Sequence, residues 1–318
     1  MDLSAEICGL KIDPAWMNAS GVLSQPYIIK RISEYDIGAF VTKSIGPRPR
    51  EGFHEPVAYH DFYRTLNAFG LANPGADESK EELEEIYPYI HALNKTLITS
   101  IFGENEEELV YVATRIEDYC DAIEENYGCP NKTEKEKLGM TIGTNPDLVR
   151  AYTRAVKDKV KKPVGVKLTP NVYDIGLIAK AAEEGGADFI SAINTVAPAT
   201  FIEPYSGKPV LSNKTGGLSG PSIKPVGIAA VRKIYDTVKI PIIGGGGIKN
   251  ARDVVEYYRA GASCVFIGSA LARKDTRKVG KYFSNLKTEL EELLEEMNVS
   301  SLRELTGAKM IMNNGEGF

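Results

Sequence analysis

The stretch 163–194, PVGVKLTPNVYDIGLIAKAAEEGGADFISAIN, holds one complete strand–helix–strand unit. PVGVKL (163–168) is short, apolar and opened by a proline, the pattern of a buried strand. Residues 173–185 repeat apolar positions at helical spacing. Glu183-Glu184-Gly185-Gly186-Ala187-Asp188 then supplies a glycine stop, and DFISAIN (188–194) reads as a second buried strand. Two buried strands joined by a helix predict a parallel βαβ unit.

The same alternation runs outward in both directions. Upstream strand candidates are MNAS (17–20), AFVTKS (39–44), TLITSIF (96–102) and DAIEEN (121–126); downstream are IPIIGG (240–245) and CVFIG (264–268). Amphipathic stretches at 106–117, 146–160, 223–237 and 249–260 lie between or after them. Eight βα units predict an α/β fold, a TIM (β/α)8 barrel formed by residues 1–318 as one domain. Residues 46–79 and 196–222 are too long for plain βα connections. They predict loop insertions over the C-terminal face, where such barrels place their active sites. LKTELEELLEEMN (286–298) reads as an outer helix.

Composition excludes several classes. With 318 residues, 43% hydrophobic and 25% charged, the chain is ordinary globular material. A net charge of −5 argues against a nucleic-acid surface or an anionic-membrane surface. No apolar run approaches the roughly 18 residues of a membrane span. The N-terminus has no basic region followed by an apolar run, so the expected location is cytoplasmic. Cys8, Cys120, Cys129 and Cys264 are scattered without a CxxC pair, and His54, His60 and His91 fall away from strand ends. No metal site is expected from them.

Candidate chemistry gathers at the ends of the predicted strands. Gly244-Gly245-Gly246-Gly247 and Phe266-Ile267-Gly268-Ser269 close adjacent strands and open towards helices, the usual phosphate site of this architecture. Lys249 stands where a dinucleotide GxGxxG would need glycine, so the pattern suits a mononucleotide phosphate. Asn126-Tyr127-Gly128-Cys129-Pro130-Asn131 places a thiol in a polar loop, where it can take or return a proton. The polar stretch that follows, 132–143, reads as a mobile lid. Lys43, Lys167, Asn194 and Thr195 end otherwise apolar strands, and Asn67 lies in the first long loop. Together they predict a polar pocket for a flat, amide-rich anion.

These motifs, in this order, resemble the class 1 dihydroorotate dehydrogenases, FMN enzymes of pyrimidine synthesis. The resemblance runs from NASG (18–21) through TKS (42–44), NAFGLANPG (67–75), NYGCPN (126–131), KLTPNV (167–172), INT (193–195), GGLSGPSIKP (216–225) and GGGGI (244–248) to IGSA (267–270). It implies an FMN phosphate on Gly246, Gly247, Gly268 and Ser269. It implies an isoalloxazine lined by Ala19, Ser20, Gly21, Lys43, Ser44 and Lys167, with Gly216 and Gly217 approaching from the second long loop. Dihydroorotate would be held by Asn67, Gly70, Leu71, Asn126, Asn131, Asn194 and Thr195, with Lys43 on its carboxylate. Cys129 would be the general base and Lys167 would stabilise charge on the flavin edge. Two positions depart from the family's usual pattern: Gly128 stands where Ser is common, and Phe69 where an aliphatic residue or Met is common.

The soluble class 1 enzymes comprise fumarate-using homodimers and forms paired with an iron–sulfur flavoprotein that reduces NAD. NAFGLANPG and INT look closer to the second group, and a homodimer of this chain is also expected. Residues 167–196 resemble the dihydropyrimidine dehydrogenases as well, which leaves uracil or thymine reduction as the alternative. Asn131 after Cys-Pro favours orotate. The tRNA dihydrouridine synthases have a loop that resembles NYGCPNK, but the acidic charge opposes a tRNA substrate.

Overall fold

The computed structural model describes residues 1–130 and 138–308. Eight strands close a parallel barrel: β1 (Trp16–Asn18), β2 (Ala39–Val41), β3 (Thr96–Ile101), β4 (Ala122–Asn126), β5 (Val164–Leu168), β6 (Phe189–Ala192), β7 (Ile242–Gly244) and β8 (Cys264–Ile267). They neighbour one another in chain order, and β8 pairs with β1 to close the ring. Seven fall inside the predicted segments, and β1 begins at Trp16, one residue before the predicted MNAS (17–20). The polar ends of those segments, such as 42–44, lie just past the strands and form the mouth.

One helix follows each strand: α1 (Pro26–Ile32), α2 (Ala76–Ala92), α3 (Glu106–Ile116), α4 (Pro146–Lys157), α5 (Ile175–Gly185), α6 (Lys224–Tyr235), α7 (Ala251–Ala260) and α8 (Thr276–Glu296). α8 starts well before residue 286. Asp275 caps it by accepting from Lys278 N at 2.9 Å, and Val279 and Phe283 extend the buried stripe of Leu286, Leu290 and Leu294. The basic residues of its first turn conceal that stripe in the sequence.

The two long insertions are not separate loops. Residues Ala58–His60 and Thr65–Asn67 from the first pair with Val196–Ala199 and Gly216–Ser219 from the second in a four-stranded antiparallel sheet. Gly217 pairs with Asn67, so this sheet carries Asn67 to the barrel mouth. An N-terminal hairpin, Ala5–Ile7 with Leu10–Ile12, sits at the opposite end, where Thr96 Oγ1 donates to Lys11 O.

Register builds the floor of the site. Asn126 pairs with Lys167 and Lys167 with Ser191, so these three form one inward layer. The layer below holds Ser100, Glu124, Gly165 and Phe189, with the Phe189 ring filling the space that a Gly165 side chain would need. Side chains of successive strand residues alternate. Glu125 therefore faces outward, towards the helices.

Candidate active site

A cavity of about 460 Å³ opens at the C-terminal end of the barrel, a volume within the range of small-molecule and cofactor sites. Ala19, Ser20, Gly21, Lys43, Ser44, Lys167, Gly246, Gly247, Gly268 and Ser269 line it, as do Asn67, Gly70, Leu71, Asn126, Cys129, Asn194 and Thr195. Asn131 lies outside the described residues. Gly216 and Gly217 are not in the wall. The space of their missing side chains is taken by the Asn67 carbonyl and by Thr195, so they let the antiparallel sheet pack close behind Asn67 and Thr195.

The wall at β7 and β8 is a backbone cradle. No acceptor among the described residues pairs with the N–H groups of Gly246, Gly247, Gly268 or Ser269. Gly247 has φ +80°, and a Cβ there would stand 2.8 Å from Gly220 O. The loop is held by a capping box at α7, in which Asp253 N donates to Asn250 Oδ1 and Asn250 N to Asp253 Oδ2. Asp253 also meets Lys224 Nζ at 2.6 Å, joining the starts of α6 and α7 beneath the glycines. Unpaired N–H groups of this kind suit a phosphate monoester.

Lys167 lies on the floor, its ammonium 3.6 Å from the Phe266 ring centroid. Burial pulls its pKa below the ordinary lysine value, and the Glu124 carboxylate opposes that shift. No hydrogen-bond acceptor reaches Lys167 Nζ among the described residues, so it can serve the electron-rich edge of a flat ring.

At the other side of the cavity a polar chain crosses the mouth. Thr195 N donates to Asn194 Oδ1 at 2.8 Å, Asn194 Nδ2 to Asn126 Oδ1 at 3.1 Å, and Asn126 Nδ2 to Ser44 Oγ at 2.9 Å. Ser44 continues it to Ser100 at 2.9 Å and Ser20 at 3.3 Å. Asn18 fixes the near loop by bonding the Val41 backbone in both directions at 2.9 Å. Lys43 Nζ stands 5.1 Å from the Phe69 ring centroid. Burial lowers the Lys43 pKa, and the nearby Cys129 opposes this shift.

Cys129 is buried in a small cluster with Leu71, Phe102 and Leu138. Met140 N donates to its carbonyl at 3.0 Å. The expected lid at 132–143 thus has two parts. Residues 132–137 lie outside the described residues, whereas Leu138 is buried and Met140–Gly143 forms a packed helical turn. The reason is apolar: Leu138 and Ile142 have burial to gain.

Gly128 explains one departure from the family pattern. A Cβ there would stand 2.6 Å from Asn194 Cβ and 2.7 Å from its Nδ2. Gly128→Ser should displace Asn194 and break its bond to Asn126. The KM for substrate is expected to rise about tenfold, the worth of one hydrogen bond of about 1.4 kcal/mol. Steady-state kinetics at fixed pH check this, and an unchanged KM would mean that Asn194 does not position substrate.

Sequence reasoning missed part of the wall. Ile223, Ser219, His60 and Arg273 also line the cavity. His60 was expected to lie apart from the site, but the antiparallel sheet brings it there. Its Nδ1 meets Thr65 Oγ1 at 3.0 Å, and burial, with Arg273 nearby, lowers its pKa. No helix among the described residues is long and apolar enough to cross a membrane.

Comparisons with known proteins agree with this geometry. The family model described as dihydroorotate dehydrogenase matches residues 2–294. The chain is similar to the protein named dihydroorotate dehydrogenase B (NAD(+)), catalytic subunit, of Methanocaldococcus jannaschii, at 41% identity over 306 residues, 96% of this chain and 97% of that one. The proteins of the same name from Pyrococcus horikoshii and Methanocella arvoryzae are 40% identical over 307 residues and 44% identical over 272. They cover 96% and 85% of this chain, and 97% and 87% of their own lengths are matched. Likeness of this extent, over a barrel whose mouth carries the motifs read from the sequence, means that the chain belongs to the dihydroorotate dehydrogenase family.

Proposed function

We propose that this protein oxidises (S)-dihydroorotate to orotate in pyrimidine biosynthesis, with FMN as its cofactor and Cys129 as the general base. The observation that carries this reading is the meeting, in one cavity, of Cys129, Lys43, three asparagines and a buried lysine beside a backbone phosphate cradle. Gly246, Gly247, Gly268 and Ser269 would hold the phosphate; Ala19, Ser20, Gly21, Ser44 and Lys167 would face the ring. When bound, FMN supplies the hydride acceptor.

The chain's own groups do the rest. Lys43 pairs with the substrate carboxylate. Asn67, Asn126 and Asn194 hold the pyrimidine amides and so orient C5 towards Cys129 and C6 towards the ring. Cys129, as thiolate, removes the C5 proton. Lys167 would offer its ammonium to negative charge that develops on the bound cofactor. Leu71, Phe102 and Leu138 exclude water from the thiol. Gly70, Thr195 and Asn131 complete the proposed substrate shell.

Electrons would then pass to a separate iron–sulfur flavoprotein subunit that reduces NAD, and the chain would work as a homodimer in the cytoplasm. For the separate subunit and NAD, support comes from the relatives' name, which specifies NAD(+) and a catalytic subunit.

The test is an anaerobic visible spectrum of purified protein before and after L-dihydroorotate. A flavin band that bleaches rapidly is expected. A band that persists with dihydroorotate but responds to uracil would overturn the substrate. Rapid fumarate turnover by the chain alone, with no second polypeptide co-purifying, would overturn the partner.

A further inference from the structure

The strand that carries Asn126 to the cavity also carries a buried acid on its other face. Glu125 points outward from β4, and the sheet positions beside it hold the buried apolar residues Ile101 and Val166. Tyr127 folds back over the strand end, and its Oη donates to Glu125 Oε1 at 2.7 Å. Tyr127 N also donates to the Glu125 carbonyl at 3.2 Å. Further along, the chain returns to the same place: Gly143 packs on the Tyr127 carbonyl, so closely that a side chain there would collide with it.

We propose that Glu125 and Tyr127 form a positioning clamp that sets, from outside the barrel, the loop carrying Asn126 and Cys129 over the substrate. The inference rests on the roles proposed above for those two residues. Neither Glu125 nor Tyr127 touches the cavity, so neither is a catalytic residue.

Glu125 Oε2 is buried, with Thr153 Oγ1 of α4 as the polar group beside it. A proton on Oε2 would give the carboxyl a donor and Thr153 a role as acceptor. The groups facing Glu125 are Tyr127 from its own loop and Thr153 from α4, while Tyr152 of α4 faces Tyr127. No ion pair to Glu125 occurs among the described residues. Burial accordingly pushes its carboxyl up to about 7, against the pull of Tyr127 and Thr153. Loss of that proton makes the Tyr127 contact a charge-assisted hydrogen bond. The clamp therefore tightens as pH rises through about 7.

Stability moves the other way. The folded chain keeps a proton between pH 4.5 and about 7 that the unfolded chain has lost, so this group's contribution to stability falls across that window. Opposite signs separate the clamp from a merely structural acid.

The experiment follows anaerobic flavin reduction by dihydroorotate against pH in the holoenzyme, for wild type, Glu125→Gln and Tyr127→Phe. Wild type should show a rising step near pH 7, distinct from the rise that ionisation of the Cys129 thiol gives, and Glu125→Gln should abolish that step alone. Tyr127→Phe should lower the rate at least fivefold at pH 8 with flavin content unchanged. Tyr127→Phe carries the test if Glu125→Gln does not fold. A wild-type profile without the step, a step that survives in Glu125→Gln, or a wild-type rate in Tyr127→Phe overturns the clamp. Cys129→Ser run beside them reports on the base alone, because its loss of rate and the step at pH 7 can fail separately.

Discussion

Cys129→Ser is expected to bind flavin normally and to be reduced by dihydroorotate about 10²–10⁴-fold more slowly at pH 7, the usual worth of a positioned general base. A cysteine is deprotonated far more readily than a serine. Serine is nearly isosteric, so the packing of residue 129 against Leu71, Phe102 and Leu138 should survive. The distinction matters because a collapse of that cluster would also slow the reaction. Flavin content and melting temperature should therefore match wild type, while stopped-flow bleaching of the flavin band falls. The rate should partly recover at high pH, where more of the serine is ionised. An unchanged bleaching rate would remove Cys129 from the mechanism.

Lys167→Met should cost both chemistry and stability, through different neighbours. The chemical loss is that of a donor aimed at developing charge, about 10²–10³-fold in flavin reduction. The stability loss comes from below. Glu124 is buried, its Oε1 lacks a hydrogen-bond partner, and its carboxylate is what opposes the fall in Lys167 pKa. Removing the ammonium leaves that carboxylate buried without compensation, at a cost of about 3 kcal/mol. The double variant Lys167→Met with Glu124→Gln should recover most of the stability and none of the rate. Denaturant titration of the flavin-free protein separates the two effects, because it does not depend on the bound ring. A double variant no more stable than Lys167→Met would show that Glu124 is not the partner.

Both predictions concern residues that were legible in the chain. Lys167 ends an apolar run and Cys129 sits between Gly and Pro in a polar loop, so each stands out against its local pattern. His60, Ser219 and Arg273 did not stand out. His60 and Ser219 reach the cavity only because residues 58–67 pair with residues 196–219, and Arg273 reaches it from the connection after β8. That pairing joins segments more than a hundred residues apart, and neither has a helical or long alternating period. At Gly216 and Gly217 the structure adds a packing reason for the glycines, a close approach to Asn67 and Thr195, that the local sequence does not contain.

The sequence by itself determined the eight-strand barrel, its order and the mouth at which chemistry gathers. Those follow from burial: a strand covered on both faces must be apolar along its length, so its first polar residue marks the end at which the chain leaves the core. Only the tertiary structure decided which way each side chain of DAIEEN faces. Glu124 and Glu125 are adjacent and identical in type. The pleat sends one inward beneath Lys167 and the other outward to Tyr127 and Thr153. Register, which depends on every neighbouring strand, sets that difference, and no local pattern in six residues contains it.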